Sequence, residues 1–125
     1  MKVKILVVDD DRLARVTLEK LLSKSGYEVT SAVSGYEALE QFALHPFDLI
    51  ITDVRMPGMN GIEMLNAIRQ ARDYEKKPRL HEIVLTAFND NGVVDQATRM
   101  GVKAFILKPY DLEELLETIK QTLAS

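Results

Sequence analysis

The chain has 125 residues, enough for one domain with a real core and too few for two. With 46% hydrophobic and 28% charged residues and a formal net charge of -3, it reads as neither a disordered nor a membrane chain, and its scattered lysines and arginines form no basic stripe for direct nucleic-acid contact. The lack of cysteine removes disulfides and thiolate metal sites, and the opening MKVKILVVDDD runs into folded-domain pattern without a signal peptide, so the cytoplasm is the expected compartment.

The first apolar run, Val3 to Val8, reads as a strand covered on both faces and ends in three acids, Asp9, Asp10 and Asp11. Asp11 suits a helix start, Ala14, Leu18, Leu21 and Leu22 share one face of the helix that follows, and Gly26 suits its exit. Tyr27 to Ala32 forms a second run whose alternation leaves one face wetter, as at a sheet edge. Ser34 begins a helix carrying Leu39, Phe42 and Ala43 on its apolar side.

Leu49 to Ile51 is the third run, followed by Thr52 and Asp53, then by the turn sequence MPGMNG with Gly58 and Gly61. Met64, Ala67, Ile68 and Ala71 repeat the helical period, and Tyr74 to Glu82 reads as a solvated connection. The fourth run, Ile83 to Leu85, leads to Thr86. A weak helix follows, with Val93, Ala97 and Met100 as its main apolar contacts and Gly101 as its cap, which makes it the most easily displaced. The fifth run, Ala104 to Leu107, ends at Lys108. Asp111 then starts a helix with a clear stripe of Leu112, Leu115, Leu116, Ile119 and Leu123. Five runs alternating with amphipathic helices predict a doubly wound five-stranded parallel α/β sheet, filling residues 1 to 125 as one domain.

In such sheets ligands bind beyond the carboxyl ends of the strands, beside the point where strand order reverses. With the order 2-1-3-4-5, the acids after strand one face Asp53 across that crevice. Three carboxylates at ~5 Å and an effective dielectric of ~20 repel by roughly 3 kcal/mol per pair, about 10 in all. Protonation, Lys108 or a bound cation must neutralise them, and the oxygen-only donor set favours magnesium together with Lys108. Such an ion would also bridge a phosphate oxygen and leave a carboxylate as nucleophile, giving an acyl phosphate.

Each residue has a blander reading. Three acids after a strand often serve as a strand end and helix cap, and Asp11 is assigned to that role alone. Asp53, Thr86 and Lys108 taken singly would be turn, strand-end and loop residues. Their joint arrival at adjacent strand ends is what favours a site, whereas His45 and His81 fit no such geometry, and no nucleotide-binding GxxxxGK loop occurs.

The segments ILVVDDD, DLIITDVRMPGMNG, IVLTA and FILKPY, in this order across the whole chain, resemble the four signatures of the receiver domain of bacterial two-component response regulators, with stand-alone chemotaxis and sporulation-relay members as the nearest in architecture. The resemblance implies a flavodoxin-like fold and a phosphoryl group accepted on Asp53 from a sensor histidine kinase or a histidine phosphotransfer protein, with the domain catalysing its own modification without being a turnover enzyme. Asp10 would bind Mg2+ directly, Asp9 directly or through water, Asp53 through a carboxylate oxygen and Arg55 through its backbone carbonyl; Mn2+ is an accepted substitute. Lys108 and the Thr86 hydroxyl would hold the phosphoryl oxygens, Ala87 would leave them room, and Pro109 would follow a cis peptide.

Movement of Thr86 and Phe105 would remodel the face of helix four, strand five and helix five, addressed to a downstream protein or an output domain. A phosphorylation-dependent homodimer is also allowed, and a membrane is not. Arg55 and Phe88 occupy positions that tune hydrolysis, and their bulk would slow it. Asn60 stands where many members have Asp, and Phe105 where Tyr is frequent. Two rival readings stand beside this one. A haloacid-dehalogenase-type phosphatase would use Asp9 as nucleophile and Asp11 as acid, but Leu13 breaks its motif; a binding module that is never phosphorylated sits poorly with the complete set Asp10, Asp53, Thr86 and Lys108.

Overall fold

A computed structural model describes residues 2–87 and 90–125. Five strands and five helices alternate: β1 (Lys4–Val8), α1 (Arg12–Lys24), β2 (Glu28–Ala32), α2 (Gly35–Leu44), β3 (Leu49–Asp53), α3 (Gly61–Tyr74), β4 (His81–Ala87), α4 (Asn91–Arg99), β5 (Ala104–Lys108) and α5 (Leu112–Ala124). The strands are parallel and ordered β2-β1-β3-β4-β5, as expected for this pattern. β1 and β3 are therefore neighbours, and the order reverses between them.

Alternation along the strands splits the core in two. Ile5, Val7, Leu49, Ile51, Ile83, Leu85 and Ile106 face α1 and α5 through Leu18, Leu22, Leu115 and Ile119. Leu6, Val8, Ile50 and Val84 face the other way, onto Ala38 of α2, Ile62, Leu65 and Ile68 of α3 and Ala97 of α4. Both faces of the central strands are dry, which is why those runs are unbroken in sequence. β2 is an edge strand with Ala32 alone fully buried, in keeping with its alternation.

The helix ends follow their local chemistry. Asp11, Ser34 and Asp111 each accept a hydrogen bond from a first-turn amide, and Gly26 and Gly101 take the left-handed backbone that ends α1 and α4. α3 has a cap that its sequence pattern did not single out: Asn60 accepts from the Glu63 amide at 2.9 Å while the Glu63 carboxylate accepts from the Asn60 amide at 3.0 Å. The peptide bond before Pro109 is cis, as expected.

The connection expected over Tyr74 to Glu82 is shorter than that. Tyr74 closes α3, and His81 and Glu82 open β4, opposite Leu49 and Ile50. The polar character that suggests a loop there has a specific origin. Glu82 accepts two hydrogen bonds from Arg69 of α3, both side chains are almost wholly buried, and Arg69 also donates to the carbonyl of Met100 at the end of α4. One arginine thus ties α3, β4 and the C-terminal end of α4 together.

Because removing one member of a buried pair leaves the other charge uncompensated, Glu82→Ala should lower the unfolding free energy by about 3 kcal/mol in urea titration. Asp73→Ala breaks the Arg79–Asp73 pair, whose side chains are half exposed, and should leave the transition nearly unmoved.

Candidate functional site

The carboxyl ends of β1, β3, β4 and β5 converge on one rim. β1 ends one residue before Asp9, Asp53 is the last residue of β3, Thr86 lies one residue from the end of β4, and Lys108 closes β5. Register sets their proximity: Val8 lies beside Thr52, Asp53 beside Leu85, and Ala87 beside Lys108.

Carboxylate oxygens of Asp9, Asp10 and Asp53 all lie within 4.8 Å of one another, with Asp9 buried, Asp53 half-buried and Asp10 exposed. Lys108 reaches into this group from β5, its Nζ 3.0 Å from Asp53 Oδ2 and 3.7 Å from Asp9 Oδ2. The other Asp53 oxygen accepts the Val54 amide at 2.8 Å, and Asp9 Oδ1 accepts the Asp11 amide at 3.0 Å. Thr86 is buried, and among the described residues its hydroxyl donates at a long 3.4 Å to the Ala87 carbonyl alone. Asp11 points into the first turn of α1 as its cap, the role assigned to it from sequence.

The electrostatics reflect one cation among three acids. Burial raises the Asp9 pKa above the ordinary carboxylate value; the Asp11 amide and Lys108 oppose the rise, while Asp53 and Asp10 add to it. Burial penalises the Lys108 ammonium, but its hydrogen bond to Asp53 and the charges of Asp53 and Asp9 outweigh that penalty and leave its pKa raised. A divalent cation fits this donor set. All the offered ligands are hard carboxylate oxygens, and their spread is near the ~4 Å that separates opposite oxygens around magnesium at ~2.0–2.1 Å, with Asp10 open to solvent where the ion keeps its waters.

Two contacts here were not legible from spacing. Gly61, the first residue of α3, packs so closely on β3 that a Cβ would stand 2.2 Å from the Asp53 carbonyl oxygen, and its amide donates to the Val54 carbonyl at 2.9 Å. The absence of a side chain lets α3 start directly behind Asp53. A glycine at a helix position open to any good helix former is the signal that would have marked it. The second is Arg55, whose guanidinium donates twice to Asp90, at 2.9 and 2.7 Å. Phe105 is half-buried against the α2–α4 side of the core, beside Val84. Phe88 lies outside the described residues. His45 ends α2 and His81 opens β4, at the opposite end of the strands from the acids, although His81 belongs to a strand and not to a loop.

Sheet order and rim chemistry together define a flavodoxin-like α/β domain with an acidic, cation-compatible pocket at its switch point. The chain belongs to the response regulator receiver domain family, whose model matches residues 5–120. It is 36% identical over 96% of its length to the chemotaxis protein CheY of Bacillus subtilis, covering 97% of that protein. It is 37% identical over 98% of its length to the transcriptional regulatory protein ZraR of Salmonella typhimurium, of which it spans only 27%. The crystal structure of a CheY-like receiver domain protein from Methanospirillum hungatei superimposes with a TM-score of 0.88 at 29% identity, over 99% of this chain and 95% of that one. Phosphorylation and Mg2+ binding are general for this family of two-component signalling switches, which work with histidine kinases or phosphotransfer proteins and with output domains.

The raised Asp9 pKa gives a signed prediction. Folding binds the Asp9 proton more tightly than the unfolded chain does, so this group costs stability as pH rises from the ordinary carboxylate range through its folded pKa. Asp9→Asn keeps the acceptor for the Asp11 amide and deletes the charge. In buffer free of divalent cations it should melt above the parent chain at pH 7.5, with the gap closing as pH falls through that window; added Mg2+ should stabilise the parent chain more than the variant.

Proposed function

We propose that this domain is a switch operated by phosphorylation of Asp53, with the phosphoryl group supplied by a phosphohistidine on a sensor kinase or phosphotransfer protein. The observation that carries the reading is the meeting of Asp9, Asp10, Asp53 and Lys108 within hydrogen-bonding and ligand distances at one rim. An Asp53 carboxylate oxygen attacks phosphorus, the bond to the donor imidazole nitrogen breaks, and an acyl phosphate results. Mg2+, held by Asp9, Asp10, Asp53 and the Arg55 carbonyl, would neutralise charge on the acids and the incoming group. Lys108 exchanges part of its contact with Asp53 for a phosphoryl oxygen, and Thr86, weakly bonded at rest, donates its hydroxyl to another.

The output is a change at α4, β5 and α5, transmitted through Thr86 and Phe105 to a downstream protein or an output domain. Several features support α4 as the moving part: Ala97 is its one buried residue, and Val93 and Met100 are only half-buried. Among the described residues no helix is long and apolar enough to cross a membrane, and a cytoplasmic site of action belongs to the same proposal. Arg55, two residues beyond Asp53, and Phe88, two beyond Thr86, slow hydrolysis of the acyl phosphate.

Incubation with acetyl phosphate and Mg2+ should add the mass of one phosphoryl group to the intact chain, and neither Asp53→Asn nor magnesium-free buffer should show it. Label that persists in Asp53→Asn but disappears in Asp9→Ala would instead favour the phosphatase-type nucleophile. With the label in place, Arg55→Ala should shorten its half-life several-fold.

A further inference from the structure

Asp90 is the residue at the start of α4, and its side chain does something unlike those of Asp11, Ser34, Asn60 and Asp111. Each of those caps its own helix with an extended backbone and a side-chain oxygen on a first-turn amide. Asp90, with φ -97° and ψ 52°, makes no such bond. Both of its oxygens are taken by Arg55 across the β3–α3 side of the rim, Oδ2 from Nε and Oδ1 from Nη2. The carboxylate is 10% exposed and the guanidinium side chain 75%, so the arginine is free to leave at little desolvation cost while the acid stays at the helix.

Arg55 is two residues beyond Asp53. Phosphorylation there exchanges the single charge of the Asp53 carboxylate for the roughly two of a phosphoryl group, beside Asp9 and Asp10, and a planar guanidinium binds phosphate oxygens through the same paired geometry it now uses on Asp90. Asp90, once released, is an acid at a helix N-terminus to whose first-turn amides its side chain does not now bond.

We infer that Asp90 exchanges partners: at rest it binds Arg55 and leaves α4 uncapped, and phosphorylation draws Arg55 away so that Asp90 caps the first turn of α4. The release step rests on Asp53 being the phosphoacceptor. The competition between Arg55 and the α4 amides does not. Arg69, fixed to Glu82 and donating to the Met100 carbonyl, keeps the far end of α4 in place, so the exchange acts on the N-terminal end alone.

Amide exchange followed by NMR at Gly92 and Val93 reads the exchange of partners directly. In the unphosphorylated protein Arg55→Met should slow these two amides roughly fivefold, the protection a capping carboxylate gives. Asp90→Ala, which removes both partners' link, should leave them as fast as in the parent chain or faster. Acetyl phosphate with Mg2+ should slow them in the parent chain to the Arg55→Met level and have no such effect in Asp90→Ala. Unchanged or faster exchange in Arg55→Met overturns the proposal, as does a phosphorylated parent chain, verified by mass, whose Gly92 and Val93 amides exchange as before. A chain that gains no phosphoryl mass sinks the phosphoacceptor reading instead, and the resting comparison of Arg55→Met with the parent chain then decides the competition alone. Thermal melts of both variants guard against misfolding.

Discussion

The constraint on which the rest depends is the crowding of three carboxylates against one ammonium at the end of the sheet. Oxygens of Asp9, Asp10 and Asp53 lie within 4.8 Å of each other, and Lys108 is the cation that touches two of them. At an effective dielectric of ~20, one ammonium offsets only part of repulsion that amounts to roughly 3 kcal/mol per pair. The domain therefore rests with an electrostatic deficit at this rim, a deficit that a divalent cation removes and that a buried, proton-hungry Asp9 records.

The fold makes that crowding affordable by placing it where the core is otherwise most complete. β1 and β3, which carry the acids, are dry on both faces, with Ile5 to Val8 and Leu49 to Ile51 fully buried. Gly61 lets α3 begin against the Asp53 backbone, and the Asn60–Glu63 reciprocal cap fixes the direction in which α3 leaves. Stiffness at these strands contrasts with α4, which buries Ala97 alone and is tied at its ends by arginines from elsewhere in the chain. Asp53 closes β3 and α4 follows β4, the adjacent strand, so the acidic rim and the helix that buries least stand side by side.

The fold and the rim residues were legible because they obey local or periodic rules. Unbroken apolar runs gave the central strands, the alternation of β2 its edge position, and strand-end placement brought Asp9, Asp10, Asp53, Thr86 and Lys108 together without any knowledge of contacts. The parts that were not legible depend on partners far apart in sequence. Glu82 looked like loop polarity because its charge is matched by Arg69 from another element, which no window around residue 82 reveals. Arg55 and Asp90 are 35 positions apart, and Asp90 by itself resembles an ordinary cap. Gly61 passed as a turn glycine because its true reason, the approach of the Asp53 carbonyl, lies eight residues back across a bend.

The resting bonds also limit where the energy of switching can come from. Moving a population from 1:99 to 99:1 takes about 5.5 kcal/mol of preference for one state. Lys108 is already bonded to Asp53 at 3.0 Å, so in the proposed switch a turn toward a phosphoryl oxygen would mostly exchange one anionic partner for another. Net gain has to come from donors poorly used at rest. The Thr86 hydroxyl, with a 3.4 Å contact, is one such donor, and a hydrogen bond to a charged group is worth ~1.5–3 kcal/mol. That alone falls short of the required preference. A second contribution is needed from a group whose departure improves the bonding it leaves behind, and the capping site that Arg55 now denies to Asp90 meets that condition.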